Sequence, residues 1–275
     1  GGMSVSKLKN LILLVLTICA LSLLAIAIPN RLSQTHEQRR MLSALKTLYD
    51  GYDLSIEISD LPDSATLYSV ELSDTGIQTA AQALLGAKAA PAGGEDRFES
   101  VYTSELGTLT AARSGAFSAE LTGAAHVKNH EKSAEKLLRS MGYQVQQLQQ
   151  EKPADGTIVL TASQSLLGVP IFGGSLTLAY ADDCLVQIKG TFYTGSESIT
   201  RVSEQQSITA ADALTQLLAG RDALGWVGSS VTGLTQGYLP ADSAGGGIRL
   251  VPVWLIETDT GNFFVNGITR EVTAA

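Results

Sequence analysis

His126 and His130 are the first residues to weigh for chemistry, because imidazoles four positions apart at a helix start can face one metal ion. A metal needs further ligands, and the only other histidine, His36, lies far upstream. No cysteine or acidic cluster supplies an evident third ligand, so the pair reads as solvent-facing helix residues. Ser43-Ala44-Leu45-Lys46 and Ser133-Ala134-Glu135-Lys136 fit the S-x-x-K pattern of acyl-transfer serines, but neither is followed by the partner motifs such a serine needs. Gly173-Gly174 and the glycines at 245–247 lack the strand–loop–helix setting and the lysine of a phosphate cradle. Cys184 follows two aspartates, whose negative charge disfavours a thiolate, so it reads as a small residue at a strand start. Trp226 and Trp254 read as core. No catalytic residue, cofactor-binding residue or metal ligand is expected, and the chain is not expected to be an enzyme.

The elements that would position any site follow from composition and pattern. A chain of 275 residues has room for two domains, and 44% apolar residues suffice for packed cores. Its net charge of −8 and the lack of any Lys/Arg run exclude a nucleic-acid-binding surface. Cys19 and Cys184 lie far apart and no disulfide is expected between them.

Residues 11–28 form an uncharged apolar run, preceded by Lys7 and Lys9 and closed by Pro29, at the lower length limit of a bilayer span. It is read as an uncleaved transmembrane signal-anchor, with residues 1–10 as a cytoplasmic tail and the bulk of the chain extracytoplasmic at the cell membrane. Cleavage after Ala27, at an A-x-A-like triplet, is the competing reading. A lipoprotein is set aside because Ile18, not a small residue, precedes Cys19. Residues 29–50 read as a stalk helix, with Met41, Leu42, Leu45 and Leu48 at helical spacing.

From Gly51 the chain turns to strand chemistry. A helix, a Gly-Tyr pair, a strand, a proline turn and a second strand occur in the same order around Gly51-Tyr52 to Pro62 and around Gly142-Tyr143 to Pro153. The echo predicts an internal duplication. It divides the chain into a first α+β unit at 51–125 and a second at 126–275, with a further helix in each. The first of these starts at Asp74-Thr75-Gly76 and stops at Gly86; the second is capped by Thr209 and Asp212 and stops at Gly220. Near the end, the apolar runs 250–256 and 263–268 flank Thr258-Asp259-Thr260-Gly261, a hairpin signal. Leu250, Trp254 and Ile256 load one face of the first run, and Val251, Val253 and Leu255 the other. A strand apolar on both faces is expected to be covered on both, under a helix and inside a sheet.

Ser207-Ile208-Thr209-Ala210-Ala211-Asp212-Ala213-Leu214 resembles the helix opening of PepSY-like units. Leu250-Val251-Pro252-Val253-Trp254, with Gly261 and then Phe264-Val265-Asn266-Gly267-Ile268-Thr269, resembles their closing hairpin. Arg270 stands where that hairpin ending would carry a turn glycine. With anchor and stalk, the layout is similar to the YycH/YycI family, single-pass regulators of an essential cell-wall histidine kinase. The resemblance implies α+β architecture: a transmembrane helix and stalk, then two helix-on-antiparallel-sheet units, the second YycI-like. It also implies a non-catalytic role without cofactor, modulating a two-component sensor kinase by protein–protein contact. The partners implied are that kinase or a related envelope protein, the membrane, and another copy or a related regulator. Two other readings stay open. One is a PepSY-type binding or inhibitory domain acting on an envelope protease or cell-wall partner. The other is a secreted hydrolase whose site the residues do not display.

Overall fold

The computed structural model describes residues 36–72, 76–92, 99–123, 126–153, 156–193, 199–243 and 247–275. The tail, the 11–28 anchor and the start of the stalk lie outside these. Among the described residues, no helix is long and apolar enough to cross a membrane.

Residues 36–50 form helix α1, followed by strands β1 (Ser55–Ile56) and β2 (Val70–Leu72) and helix α2 (Gly76–Leu85). Next come β3 (Ala90–Pro91), β4 (Glu99–Ser104), β5 (Gly107–Ala112), β6 (Ala116–Leu121) and helix α3 (His130–Ser140). The chain continues through β7 (Val145–Glu151), β8 (Ile158–Leu166), β9 (Val169–Ala181), β10 (Cys184–Thr191) and β11 (Ile199–Arg201). It ends with helix α4 (Ala210–Leu224), β12 (Ser230–Asp242), β13 (Ile248–Thr258), β14 (Gly261–Asn266) and β15 (Val272–Ala274). This is a mixed α+β chain, as the pattern and the resemblance both implied.

The helix ends follow from local chemistry. Asn129 accepts from the Lys132 amide at 2.9 Å and opens α3. Thr209 and Asp212 close the capping box that the spacing predicted for α4. That helix does not stop at Gly220: it runs four residues further and ends where Gly225 takes a left-handed φ of 63°. Gly220 lies inside it beside Leu224 and Val272 of β15, where an added Cβ would make only ordinary contacts.

The partition differs from the one expected at 125/126. Strands β3 to β10 form one antiparallel sheet, ordered β7-β8-β9-β10-β6-β5-β4-β3. Helices α2 and α3 lie on one face of it, and Ala80, Leu84, Ala134 and Leu138 share a core with Leu109, Leu160, Leu178 and Ile188. This is an inserted lobe, residues 76–193. Around it, α1, β1 and β2 join α4 and β11 to β15 in a framing lobe. Leu42, Leu45 and Tyr49 of α1 pack in one cluster with Leu214, Trp254 and Phe263, and the Tyr49 hydroxyl donates to the Leu214 carbonyl at 2.7 Å. The duplication also fails in detail. β1 and β2 do not pair with each other; β1 lies parallel to β12 and β2 antiparallel to β13, whereas β7 and β8 form a true hairpin. Matching local order cannot reveal pairings made with strands far along the chain.

The final hairpin is where the pattern put it. Asp259 and Thr260 form its tip, and β13 lies between β12 on one edge and β14 and β2 on the other. The Asp259 carboxylate accepts from the Ser229 amide at 2.9 Å and the Ser229 hydroxyl at 2.7 Å, tying the tip to the loop after α4. These bonds, the amide first, hold its pKa below the usual carboxylate value. Arg270 takes a φ of 65°, the left-handed conformation a glycine would adopt freely.

The lobes meet along β9. Its outer half pairs with β8 and β10, while Ile171 near its start forms a parallel bridge to Tyr238 of β12. Leu166, Val169 and Ile171 pack there with Val70, Tyr238 and Leu250.

Candidate interaction surface

Register assigns each side chain to a face. On the helix side of the framing sheet, Gln236, Trp254, Val265 and Val272 make one row, and Leu234, Ile256 and Phe263 the next. Trp254 is fully buried and its indole nitrogen donates to the Ile208 carbonyl at 2.9 Å. α4 covers this face, as expected.

Among the described residues no helix covers the opposite face, which corrects the expectation of cover on both sides. Its rows are Thr235–Leu255–Phe264, Gly237–Val253–Asn266 and Leu239–Val251. One side chain lies across them. The Phe172 ring of β9 tilts against Phe264, with centroids 5.4 Å apart, and passes over Gly237. A Cβ at Gly237 would stand 2.6 Å from that ring and from the Pro170 carbonyl oxygen, so only glycine admits the approach. Val253 is buried, while Leu239, Val251, Leu255, Phe264 and Phe172 are half-buried. The strip ends in charge. Arg249 lies at one end on the same face of β13, its Nε buried without a hydrogen-bond partner, and exposed Glu257 lies at the other, its carboxylate folded over Gly233.

Sequence reasoning had found Val251, Val253 and Leu255 and misjudged their surroundings. It missed Phe172 and Leu239, and named Phe264 only as part of the hairpin. The available signal was alternation: Leu239 and Gly237 share parity along β12 as Val251, Val253 and Leu255 do along β13.

The residues weighed for chemistry fall elsewhere. His126, His130 and Cys184 do come together, at the turn between β9 and β10. His126 Nδ1 lies 3.0 Å from the Asp182 carbonyl oxygen and 3.4 Å from Cys184 Sγ. A carbonyl only accepts, so Nδ1 carries a proton and cannot also take one from the thiol. Cys184 is 6% exposed, which closes it to a substrate. His130 Nε2 is 3.1 Å from Asp183 Oδ1 but off the line of a hydrogen bond, and its ring meets Tyr180 edge-on at 4.9 Å. The Val127 amide donates to the Asp183 carbonyl at 2.9 Å. Together these contacts clamp a turn whose Asp182 and Asp183 both have positive φ. Among the described residues, no group of three or more His, Cys, Asp or Glu side chains is placed to hold a metal ion. Ser43 is exposed on α1, and Ser133 lies in the first turn of α3; among the described residues, neither hydroxyl is hydrogen-bonded to a histidine or acid that would activate it. Trp226 and Trp254 are both buried, as read. A cavity of about 50 Å³ between the lobes, lined in part by Leu72, Ile77, Phe192 and Tyr193, has room for little more than water.

No protein-family model matches the chain, and no curated protein matches it. Among solved structures, it is similar to an uncharacterized protein from Eubacterium rectale ATCC 33656, with 11% identity over 81% of this chain and 90% of that one, and a TM-score of 0.48. It is also similar to the Bacillus megaterium YpeB C-terminal domain, with 14% identity over 74% of this chain and 98% of that one, and a TM-score of 0.34. At these levels the likeness assigns no role to any residue.

Proposed function

We propose that the chain is a membrane-anchored, extracytoplasmic regulatory protein that works by protein–protein contact, without catalytic chemistry or a cofactor. Its partner is a membrane sensor histidine kinase, in the manner of the YycH/YycI family that the sequence resembles. The observation that carries this reading is the apolar strip on the outer face of the framing sheet, beside an inserted sheet whose outer face is polar. An apolar patch rimmed by polar residues suits a protein partner.

The 11–28 segment, read as a signal-anchor, gives the strip its context. A domain held near the bilayer meets other membrane proteins at high effective concentration, so a modest interface suffices. Regulation further requires that the strip contact one state of the partner better than the other.

The test is crosslinking from the strip in intact cells. A photoreactive residue replacing Leu255 should capture a sensor kinase, and one replacing Thr177 on the outer face of the inserted sheet should not. Capture of an envelope protease instead would favour the PepSY-type inhibitory reading. Equal capture from both positions would remove the strip's claim.

A further inference from the structure

We infer that the strip is self-complementary and that a second copy of this chain occupies it. The inference rests on the strip's being a docking surface and names one occupant. Along β13, the outer face reads Arg249, Val251, Val253, Leu255, Glu257. A cation and an anion therefore stand four residues either side of Val253, about 14 Å from it at the rise of a strand. Consider a two-fold axis lying between two such sheets, level with Val253 and perpendicular to β13. It sets Arg249 of each copy against Glu257 of the other and Val251 against Leu255, with the two Phe172 rings at the centre. An axis parallel to the strands would instead set like charges together.

Two details favour the first arrangement. Arg249 has no ion-pair partner among the described residues. Its cross-strand neighbour Glu71 is turned away to accept from the Ser243 hydroxyl. Matched charges at the ends fix register more than they add affinity. The face spans three strands, about 14 Å, by about 27 Å. That is roughly 400 Å² per copy, against the ~800 Å² per partner of a standard interface. Pairing is therefore weak in dilute solution and depends on both copies sharing one membrane. Because the same strip meets the kinase, self-pairing and partner docking exclude one another.

The full chain is tested in cells, with Cys19→Ser and Cys184→Ala as background. Facing sheets stand about 10 Å apart, too far for a direct disulfide, so a short bismaleimide is the reagent. Chains tagged differently and carrying Val251→Cys and Leu255→Cys should crosslink to each other at least about tenfold more than either does to itself. Arg249→Glu should abolish that product, and Arg249→Glu with Glu257→Arg should restore it. Equal self and mixed products, or no effect of charge reversal, would overturn the pairing. If no chain–chain product forms while the same cysteines still join the kinase, the pairing fails and the docking reading stands. If neither forms, both fail.

Discussion

The inserted and framing lobes share one plan, helices on one face of an antiparallel sheet, and differ on the other face. Across the inserted sheet the outer rows read Gln149–Thr161–Thr177–Lys189–Ser118–Thr110 and Glu151–Val159–Ala179–Gln187–Glu120–Thr108. Hydroxyls, amides and charges meet water there at little cost, and Gln187 donates to Glu120 at 2.7 Å within the second row. Across the framing sheet the corresponding rows carry Leu, Val and Phe, shielded by one borrowed ring, Phe172. The inner faces serve folding alike in both lobes. The outer faces separate a surface suited to solvent from one suited to a partner.

Equal inner faces give the largest expected effects. Trp254→Ala should cost about 3–5 kcal/mol and Leu178→Ala about 2–5 kcal/mol, read by chemical denaturation. A loss confined to one lobe's variant would break the equivalence. Gly237→Ala comes next: its Cβ would meet the Phe172 ring and backbone oxygen of Pro170, an overpacking of about 1–3 kcal/mol, and crosslinking from Leu255 should change as the ring is displaced. Outer-face exchange sharpens the comparison most directly. Val251→Thr with Leu255→Thr, copying the threonine rows, should alter stability by less than about 1 kcal/mol yet abolish capture by the strip.

The smallest effect tests a buried hydroxyl. Tyr180 Oη is buried without a hydrogen-bond partner, so Tyr180→Phe should be neutral or stabilising by up to about 1 kcal/mol. Burial raises the pKa values of Tyr180 and Tyr238 from 10.0 to about 12. The unfolded chain ionises these phenols first. Their stabilising effect is thus complete below pH 10 and is lost as pH rises toward 12, while alkaline spectrophotometric titration should show five late phenols in the native protein, because burial also raises Tyr49, Tyr143 and Tyr193.

Local signals were legible in the sequence: the capping box at Thr209, the tip at Asp259, the buried tryptophans and the class of fold. Long-range ones were not. β12 continues to Asp242 through a proline, and Pro240 pairs with Leu250; it is accommodated at the end of the ladder beyond the last pairing with β9, which no local signal announces. Burial on both faces of β13 was inferred from bulk alone, and bulk does not distinguish a covered face from one awaiting a partner. The encounter of His126 with Cys184 is closed across 58 positions, where no periodicity reports.

The framing lobe is interrupted by the inserted one, and that sets an order of assembly as the chain emerges. Residues 76–193 contain every strand and helix their core requires, so that portion can collapse while synthesis continues. α1, β1 and β2, made earlier, must wait for β12 and β13 before they acquire neighbours. Throughout that interval Leu42, Leu45 and Tyr49 lack the neighbours that α4, β13 and β14 later supply.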